Sequence, residues 1–453
     1  MDYTPFASLI IFLVTLFLMV KRPKRINLGI AAGFGAIASL LVGTVTIADA
    51  VSALLNIWDA ALAFVGIVTL SVTLDTMGFF RWAALRVARM AHGSGLRLYF
   101  LIALLTATVS ILFANDSAVL ILTPIVMEMV RQLRMTKQSS LAYLFGAGLI
   151  ADTAAMPLIT SNPVNIVSAD YFGYTFVQHM IFMVPIAFVT ILISLFTVYL
   201  FFRKKIPKSY PTEIVDVLVK HDQKPMWFRT SIVTLIAIDV GYIIASFNGI
   251  PVSFVICSGA FFLLGLYAAT YRRRAVFKQE RIGTLQVMRK VNWDILFFMI
   301  GIFLVVQGLR DVGAVDLFQT LFTGALALPS FLSVTALSFI VTIGASAINN
   351  WPMTFLGLLS VKSTIVSNSL NPQTSTILIF ANIIGNNLGP HFFPLGSLAI
   401  LMWLGTMKRK GLTVSFKDYL KVGTILSILE VTAASIMLWI EVTFLHLSLT
   451  VAL

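Results

Sequence analysis

Two short polar stretches interrupt apolar sequence in the first half of the chain, and they hold its most reactive side chains. The first carries Asn115, Asp116 and Ser117, and the second begins with Asp152 and Thr153. A carboxylate in apolar surroundings can bind and release a proton during a transport cycle, while amides and hydroxyls can hydrogen-bond a small polar solute. Asn, Asp and Ser also cap helix starts, so a structural role is the alternative for each residue.

The second stretch continues through Pro163, which removes one backbone donor and restricts the residue before it. Ser161, Asn162 and Asn165 flank this proline. Backbone groups freed from helical bonding at membrane depth are tolerated only where they are buried in protein or line a wet cavity. We therefore expect these three side chains to bind a small neutral solute, with a hydrogen-bonded helix kink as the alternative.

The second half of the chain holds a neutral polar set, which consists of Asn349, Asn350, Asn386 and Asn387. His391 follows them closely, and its imidazole can titrate near neutral pH. A structural hydrogen bond at a helix break is the alternative role for this histidine. A site with acids from the first half and amides from the second would suit an uncharged ligand, with proton binding confined to the acidic side.

The composition places these stretches in a membrane protein. Of the 453 residues, 58% are hydrophobic and 11% are charged, and the mean hydropathy is +0.95. Soluble domains usually carry about a quarter charged residues. Apolar runs of about 20 residues, long enough to cross a bilayer, recur along the chain. The first run lacks a cleavage site, so we expect its helix to be retained. The predicted class is an all-α polytopic membrane protein.

The net charge of +13 does not indicate nucleic-acid binding, because the basic residues form short clusters between apolar runs. Such clusters are typical of orientation signals in membrane proteins. The single cysteine, Cys257, and five scattered histidines supply neither a metal cluster nor a nucleophile with its base. We therefore predict no metal, no cofactor and no catalytic residue, which argues against a membrane-embedded enzyme.

The two halves of the chain resemble each other. The matches are Trp58-Asp59 with Trp293-Asp294 and Leu74…Gly78 with Leu309…Gly313, both at a spacing of 235, Asn115-Asp116 with Asn349-Asn350 at 234, and Pro157 with Pro390 at 233. Each match alone means little. Four matches in order at nearly constant spacing indicate an internal duplication, which is common in secondary transporters.

The duplication predicts two repeats, each with five crossings, a re-entrant hairpin and a broken helix. The predicted boundaries are 1–202 for the first repeat (hairpin 98–133, broken helix 141–173), 203–229 for a cytoplasmic linker, and 230–453 for the second repeat (hairpin 330–361, broken helix 374–406, with its break near Gly389). Because five is an odd number of crossings, the second repeat is expected to be inverted relative to the first.

The basic residues set the predicted orientation. With residues 21–25 in the cytoplasm, 30 of the 32 Lys and Arg residues lie inside, and only Arg310 and Lys362 lie outside. Both termini are then predicted outside. Two full crossings at 98–133 would leave the charges on the same sides, so the prediction of a re-entrant hairpin depends on the polar tip at 115–117.

Longer motifs carry a family resemblance. They are Leu74-Asp75 with Gly78-Phe79-Phe80-Arg81-Trp82-Ala83-Ala84-Leu85, Phe113-Ala114-Asn115-Asp116, Thr123-Pro124-Ile125-Val126, Ile150-Ala151-Asp152-Thr153-Ala154, Val164-Asn165-Ile166-Val167-Ser168-Ala169-Asp170-Tyr171-Phe172, Asn349-Asn350 with Pro352-Met353-Thr354, Ala381-Asn382-Ile383-Ile384-Gly385, Leu388-Gly389-Pro390 and Gly396-Ser397-Leu398-Ala399. With these motifs the chain resembles, over nearly its full length, the arsenical pump membrane proteins, arsenite efflux permeases of the ion transporter superfamily. Members commonly have Asp and Lys where this chain has Asn387 and His391.

The resemblance implies a transporter of the cell membrane that exports arsenite or antimonite in exchange for protons, in some members together with a soluble ATPase. We assign proton coupling to Asp116, Asp152 and His391, and substrate binding to the ten amide and hydroxyl residues named above. An ATPase partner would dock on the cytoplasmic linker, at Glu213, Asp216 and Lys220.

Several alternatives stay open at this level. A sodium/proton antiporter or an anion:cation symporter of the same superfamily would share the fold. A channel is a further alternative, although inverted repeats with broken helices are typical of alternating access. Asp239 and Glu430 are single acids within apolar runs, and each either belongs to a proton path or makes a structural pair.

Overall fold

The computed structural model describes residues 4–21, 23, 26–221, 227–273, 283–291 and 293–449. Parts of three predicted features lie outside these residues: the basic clusters (22, 24, 25 and 274–282), the cytoplasmic linker (222–226) and both chain ends.

The described residues form α-helices joined by short turns. In chain order they are α1 Thr4–Lys21, α2 Leu28–Val42, α3 Ile47–Thr76, α4 Phe79–Met90, α5 Gly95–Phe113, α6 Asn115–Gln132, α7 Lys137–Thr153, α8 Pro163–Phe172, α9 Phe176–Phe202, α10 Thr212–His221, α11 Phe228–Asn248, α12 Val252–Arg273, α13 Thr284–Lys290, α14 Trp293–Gln307, α15 Ala314–Leu326, α16 Ser330–Ile348, α17 Asn350–Ser367, α18 Pro372–Phe392, α19 Leu398–Arg409 and α20 Phe416–Thr443. Within these residues, eight helical segments are long and apolar enough to cross a membrane. Large apolar side chains such as Leu41 and Phe247 are exposed on the outside, where lipid replaces water as the solvent. The predicted all-α polytopic class is confirmed.

The helix bounds recur along the chain at a spacing of 235 residues. Helices α5 and α6 begin 235 residues before α16 and α17, and the short 3₁₀ turn Ile159–Ser161 has its counterpart at Pro394–Gly396. Non-glycine residues with positive φ mark the same point in each set, at Ala114 (φ 65°) and at Asn349 (φ 78°). The structure therefore supports the duplication. The inverted relation of the two repeats stays a prediction.

This register corrects two of the matches made from the sequence. Ala114, and not Asn115, corresponds to Asn349, so Asn115 corresponds to Asn350. Pro157 likewise corresponds to Phe392 and not to Pro390. The reason is that the repeat conserves the backbone corner and the helix lengths, whereas the residue types at the corner have shifted by one or two positions.

The break in the second broken helix also differs in position from the prediction. Helix α18 continues through Gly389 and Pro390 and ends at Phe392. Phe393 is extended (φ −145°, ψ 129°) and precedes Pro394. A residue before proline is disfavoured in the helical region, so the chain leaves the helix there and not near Gly389.

The predicted linker packs against the first half of the chain. The Tyr210 hydroxyl donates to the Ala88 carbonyl over 2.7 Å, and Arg89 pairs with Asp216 over 3.7 Å. Val215 and Val219 bury one face of α10. Glu213, Asp216 and Lys220 lie on exposed positions of this helix, as a docking surface would require.

Each half of the chain caps a helix of the other half. The Asp294 carboxylate at the start of α14 accepts hydrogen bonds from the backbone N–H groups of Leu28 (3.0 Å) and Gly29 (2.9 Å), which open α2. In the same way the Asp59 carboxylate in α3 accepts from the Ser253 N–H (3.1 Å), which opens α12. The first N–H groups of a helix have no partner inside it, so these aspartates satisfy donors that would otherwise be orphaned.

Small residues let the same helices approach closely. A Cβ atom on Gly301 of α14 would lie 2.7 Å from the backbone of Ala32 in α2, and one on Gly66 of α3 would lie 2.9 Å from Ile256 in α12. Close backbone contact through small residues is the usual way in which helices associate in membranes. The pairs α2–α14 and α3–α12 therefore join the two halves.

We predict that Asp294→Ala lowers the apparent melting temperature of the protein purified in detergent. The change leaves two N–H groups of α2 without an acceptor, which corresponds to about 1–3 kcal/mol for each buried group. Asp316→Ala is the matched control, because Asp316 also lies in the first turn of a helix but is exposed. Equal melting temperatures for wild type and Asp294→Ala would contradict the capping role.

Candidate functional site

Two backbone corners bring helix starts into the interior of the protein. Ala114 (φ 65°, ψ 150°) separates α5 from α6, and Asn349 (φ 78°, ψ 149°) separates α16 from α17. Such values cost a residue with a side chain about 1–3 kcal/mol and are often found at functional sites. They place Asn115 and Asp116 at the first turn of α6, and Asn350 at the first residue of α17, all of them buried.

Asp152, near the end of α7, is the meeting point of both halves. Its Oδ1 accepts a hydrogen bond from Asn115 Nδ2 over 2.8 Å, and a longer one from Ser397 Oγ over 3.4 Å. Its Oδ2 lies 3.5 Å from Nε2 of His391. The carboxylate thus contacts α6 from the first half, and α18 and the start of α19 from the second half.

His391 lies between two carboxylates. Its Nδ1 is 2.7 Å from Oε2 of Glu430 in α20, on the side opposite Asp152. The other oxygen of Glu430 accepts a hydrogen bond from the Thr153 hydroxyl over 2.7 Å. All four side chains are at most 2% exposed. A protonated imidazole can donate from both ring nitrogens. Here Nδ1 is hydrogen-bonded to Glu430, while the distance of 3.5 Å to Asp152 is that of an ion pair.

An amide network joins the two broken helices. Asn162 Nδ2 donates to Asn387 Oδ1 over 2.8 Å, and Asn387 Nδ2 donates to Asn165 Oδ1 over 3.0 Å. Asn165 in turn donates to the carbonyl groups of Ala155 (2.9 Å) and Leu158 (3.0 Å), which lie between α7 and α8. Because one of the three amides comes from the other half, the network ties α18 to the start of α8.

Several buried polar atoms at the site have no hydrogen-bond partner among the described residues. They are Oδ2 of Asp152, Nε2 of His391 and Oδ1 of Asn350 and Asn386. The Asp116 carboxyl is also buried, at 7% exposed. Buried polar groups in proteins are normally bonded, so these atoms are the ones that a solute or a proton can engage.

Other predicted site residues use their polar atoms within the protein. Ser161 Oγ donates to the Ile111 carbonyl over 2.8 Å, which stabilises the turn between α7 and α8. Asn349 donates to the Leu395 carbonyl over 2.9 Å and accepts from the Trp351 N–H over 3.2 Å, which holds the second corner. Ser117 is buried beside Asp116 in the first turn of α6.

Glu430 is the site residue that the sequence did not assign. The sequence offered it only as a single acid in an apolar run, together with Asp239. The available signal was its position on the packed face of α20, in line with the buried residues Leu426 and Ala434. Asp239 lies in α11 and has no hydrogen bond to the site residues within the described part of the chain.

Comparison with known proteins shows the family of the chain. The family model described as "Arsenical pump membrane protein" matches residues 7–442. An arsenical pump membrane protein of Escherichia coli is 36% identical over 435 residues, which cover 96% of this chain and 98% of that protein. The arsenical pump membrane protein of Yersinia enterocolitica is also 36% identical, with the same coverage of 96% and 98%.

A solved structure shares the fold. The YdaH transporter of Alcanivorax borkumensis, described as having an unusual topology, matches 87% of each chain with a TM-score of 0.57 and 12% sequence identity. At that identity the likeness concerns the fold alone. From the match over nearly its whole length, this chain belongs to the arsenical pump membrane protein family.

Proposed function

We propose that the chain is an arsenical efflux transporter, which exports arsenite and antimonite across the cytoplasmic membrane in exchange for protons. The observation that carries the proposal is the position of His391 between Asp152 and Glu430, in a buried site to which both halves contribute. Ionisable residues inside a membrane protein mark proton and substrate pathways by default. The names of the E. coli and Yersinia relatives support the class of substrate.

Antiport requires that proton and solute use the same groups in turn. Asn115 donates to Asp152, whose other oxygen accepts no hydrogen bond from the described part of the chain. While Asp152 is ionised, this oxygen can accept a hydrogen bond from a hydroxyl group of a neutral solute. When Asp152 takes up a proton, the proton occupies the carboxyl group and the solute loses this acceptor. Competition of this kind couples the two flows.

The amides supply contacts suited to an uncharged solute. The free oxygens of Asn350 and Asn386 accept hydrogen bonds, and a hydroxyl group of undissociated arsenite can donate to them. Asn162, Asn165 and Asn387 hold the broken helices in register around this position. We do not propose that a thiol binds the metalloid, because Cys257 lies in α12, where its Sγ donates a hydrogen bond to the Leu62 carbonyl.

The recurrence of helix bounds supports an alternating-access transporter of two repeats. We propose that the repeats are inverted, that the pairs α5–α6 and α16–α17 are re-entrant hairpins with corners at Ala114 and Asn349, and that the linker lies in the cytoplasm with both termini outside. Rocking of one repeat against the other around a fixed central site then exposes the site to each side in turn. A soluble ATPase that docks on α10 stays a prediction.

Expression in a bacterial strain without its own arsenical pump is expected to confer resistance to arsenite and antimonite and to lower the arsenite content of the cells. The measurement is metalloid accumulation beside membrane expression, with an empty vector as control. Unchanged metalloid accumulation in cells with good membrane expression of the protein would contradict the proposal. Sodium-dependent proton movement with no response to arsenite would instead favour a sodium/proton antiporter.

Proton coupling predicts that Asp152→Asn and Asp116→Asn each lower gradient-driven arsenite uptake into everted vesicles by at least tenfold. The amide keeps the size of the side chain but cannot carry a proton. The exposed Asp316→Asn serves as the control and should leave uptake unchanged. If both site variants respond to the proton gradient as wild type does, neither carboxyl couples transport to protons.

The position of His391 between two carboxylates predicts that His391→Lys retains much of the transport while His391→Ala loses it. Lysine keeps a cation between Asp152 and Glu430, whereas alanine leaves two buried carboxylates unpaired, at about 3–5 kcal/mol. Uptake and melting temperature are measured for both variants. A fully active and stable His391→Ala protein would show that no cation is needed there.

A further inference from the structure

Glu441 is a buried carboxyl group that has no role in the transport cycle proposed above. It lies two residues before the end of α20 and is 2% exposed. Neither of its carboxyl oxygens has a hydrogen-bond partner among the residues that the structure describes. An ionised carboxylate without any donor would be destabilised by several kcal/mol, so the group needs either a proton or water that reaches it in another conformation.

The carboxyl group faces the same side of α20 as Glu430. Residues 430, 434, 438 and 441 are spaced by four, four and three, which places them along one face of a helix, and all four are buried. The two acids are eleven positions apart, which corresponds to about 16 Å along the helix axis. Ser435 lies between them, fully buried, and its hydroxyl donates to the Val431 carbonyl over 2.8 Å.

No cation neutralises Glu441 from the described parts of the helices that pack against α20, which are mainly α9, α16 and α18. Helix α16 carries no ionisable side chain, and the only one in α18 is His391, which is held by Glu430. Helix α9 carries His179 and Tyr199, and a ring nitrogen of His179 is bonded to the Met156 carbonyl over 2.9 Å. A structural ion pair therefore does not explain the acid.

The segment after α20 packs back against the end of this helix and against α18. The Leu447 N–H donates to the backbone carbonyl of Glu441 over 3.1 Å, and the Leu449 N–H donates to the Thr376 hydroxyl of α18 over 2.8 Å. His446 in this segment is exposed. The opposite end of α20 carries Lys417 and Lys421, and the distribution of basic residues along the chain predicts that this end lies in the cytoplasm. Glu441 thus lies toward the outer side, next to this segment.

We propose that Glu441 is a second proton-binding residue, on the outer side of the membrane, which takes protons from outside and passes them to Glu430 and so to the central site. The O–H bond of the Glu441 carboxyl breaks, the proton passes through water to the Glu430 carboxylate, and Glu441 remains a carboxylate until an outside proton replaces the one lost. Because about 16 Å separates the two acids, water must enter along the α20 face in one state of the cycle. This assignment rests on the proposed exchange of arsenite for protons.

The test compares two assays in everted vesicles that contain wild type, Glu441→Gln or the exposed control Glu128→Gln. The first assay measures arsenite uptake driven by a proton gradient. The second measures exchange of labelled for unlabelled arsenite at equal pH on both sides. Glutamine has the shape of the protonated acid but cannot release a proton. We expect Glu441→Gln to lose at least tenfold in the first assay and to keep the second, while Glu128→Gln resembles wild type in both.

Other outcomes overturn the assignment in distinguishable ways. Gradient-driven uptake at the wild-type level in Glu441→Gln shows that no proton passes through this residue. Equal loss in both assays with a lower melting temperature shows a structural role instead. If wild type itself exchanges arsenite but ignores the gradient, the proposed proton exchange fails and this assignment fails with it.

A second measurement serves if Glu441→Gln does not reach the membrane. Carbodiimides modify protonated carboxyl groups in apolar surroundings, so wild type treated in the membrane should be labelled at Glu441. Labelling should decrease when the pH on the outer side is raised, and the modified protein should keep arsenite exchange but lose the response to the gradient. A peptide containing Glu441 that stays unlabelled under these conditions contradicts the proposal.

Discussion

A contact between buried ionisable groups joins the two halves of the chain. Asp152 belongs to α7, while His391 and Glu430 belong to α18 and α20. Breaking a buried pair by removing one partner costs about 3–5 kcal/mol, so the three groups hold the halves in one relative position for as long as their protonation is unchanged. A change in protonation alters what this contact contributes. The same interaction therefore stabilises one conformation and, when its protonation changes, allows the protein to adopt another.

The polar breaks in the helices follow from this arrangement. The positive φ of Ala114 and Asn349 turns the chain so that a new helix starts in the interior, with donors that point toward the site. Amide side chains are well suited to such places, because each carries both a donor and an acceptor. Asn162, Asn165 and Asn387 use that property to bond one another across the halves, while Asn350 and Asn386 keep an oxygen free. Residues of the same type thus either bond within the fold or keep an acceptor unbonded.

Much of the fold and part of the site can be predicted from the sequence, and the features that cannot be predicted have physical reasons. Polar residues in apolar runs predict the breaks near Asn115 and Asp152, because few other contexts tolerate them. The contact of His391 with Glu430 could not be read from the sequence, since the two residues lie on different helices and their approach depends on packing. The register between the repeats was off by one or two positions at the corners, because residue identity is a poorer guide there than helix length.

The reciprocal aspartates at the helix starts have a consequence for synthesis. Asp294 is synthesised more than 260 residues after Leu28, whose N–H group donates a hydrogen bond to the Asp294 carboxylate. Helix α2 therefore enters the bilayer with its first donors unsatisfied, and they stay so until most of the chain has left the ribosome. Asp59 is in the opposite situation, because it waits for α12 to arrive. Neither half can cap all of its own helices, so a chain truncated near its middle lacks the acceptor for the first N–H groups of α2.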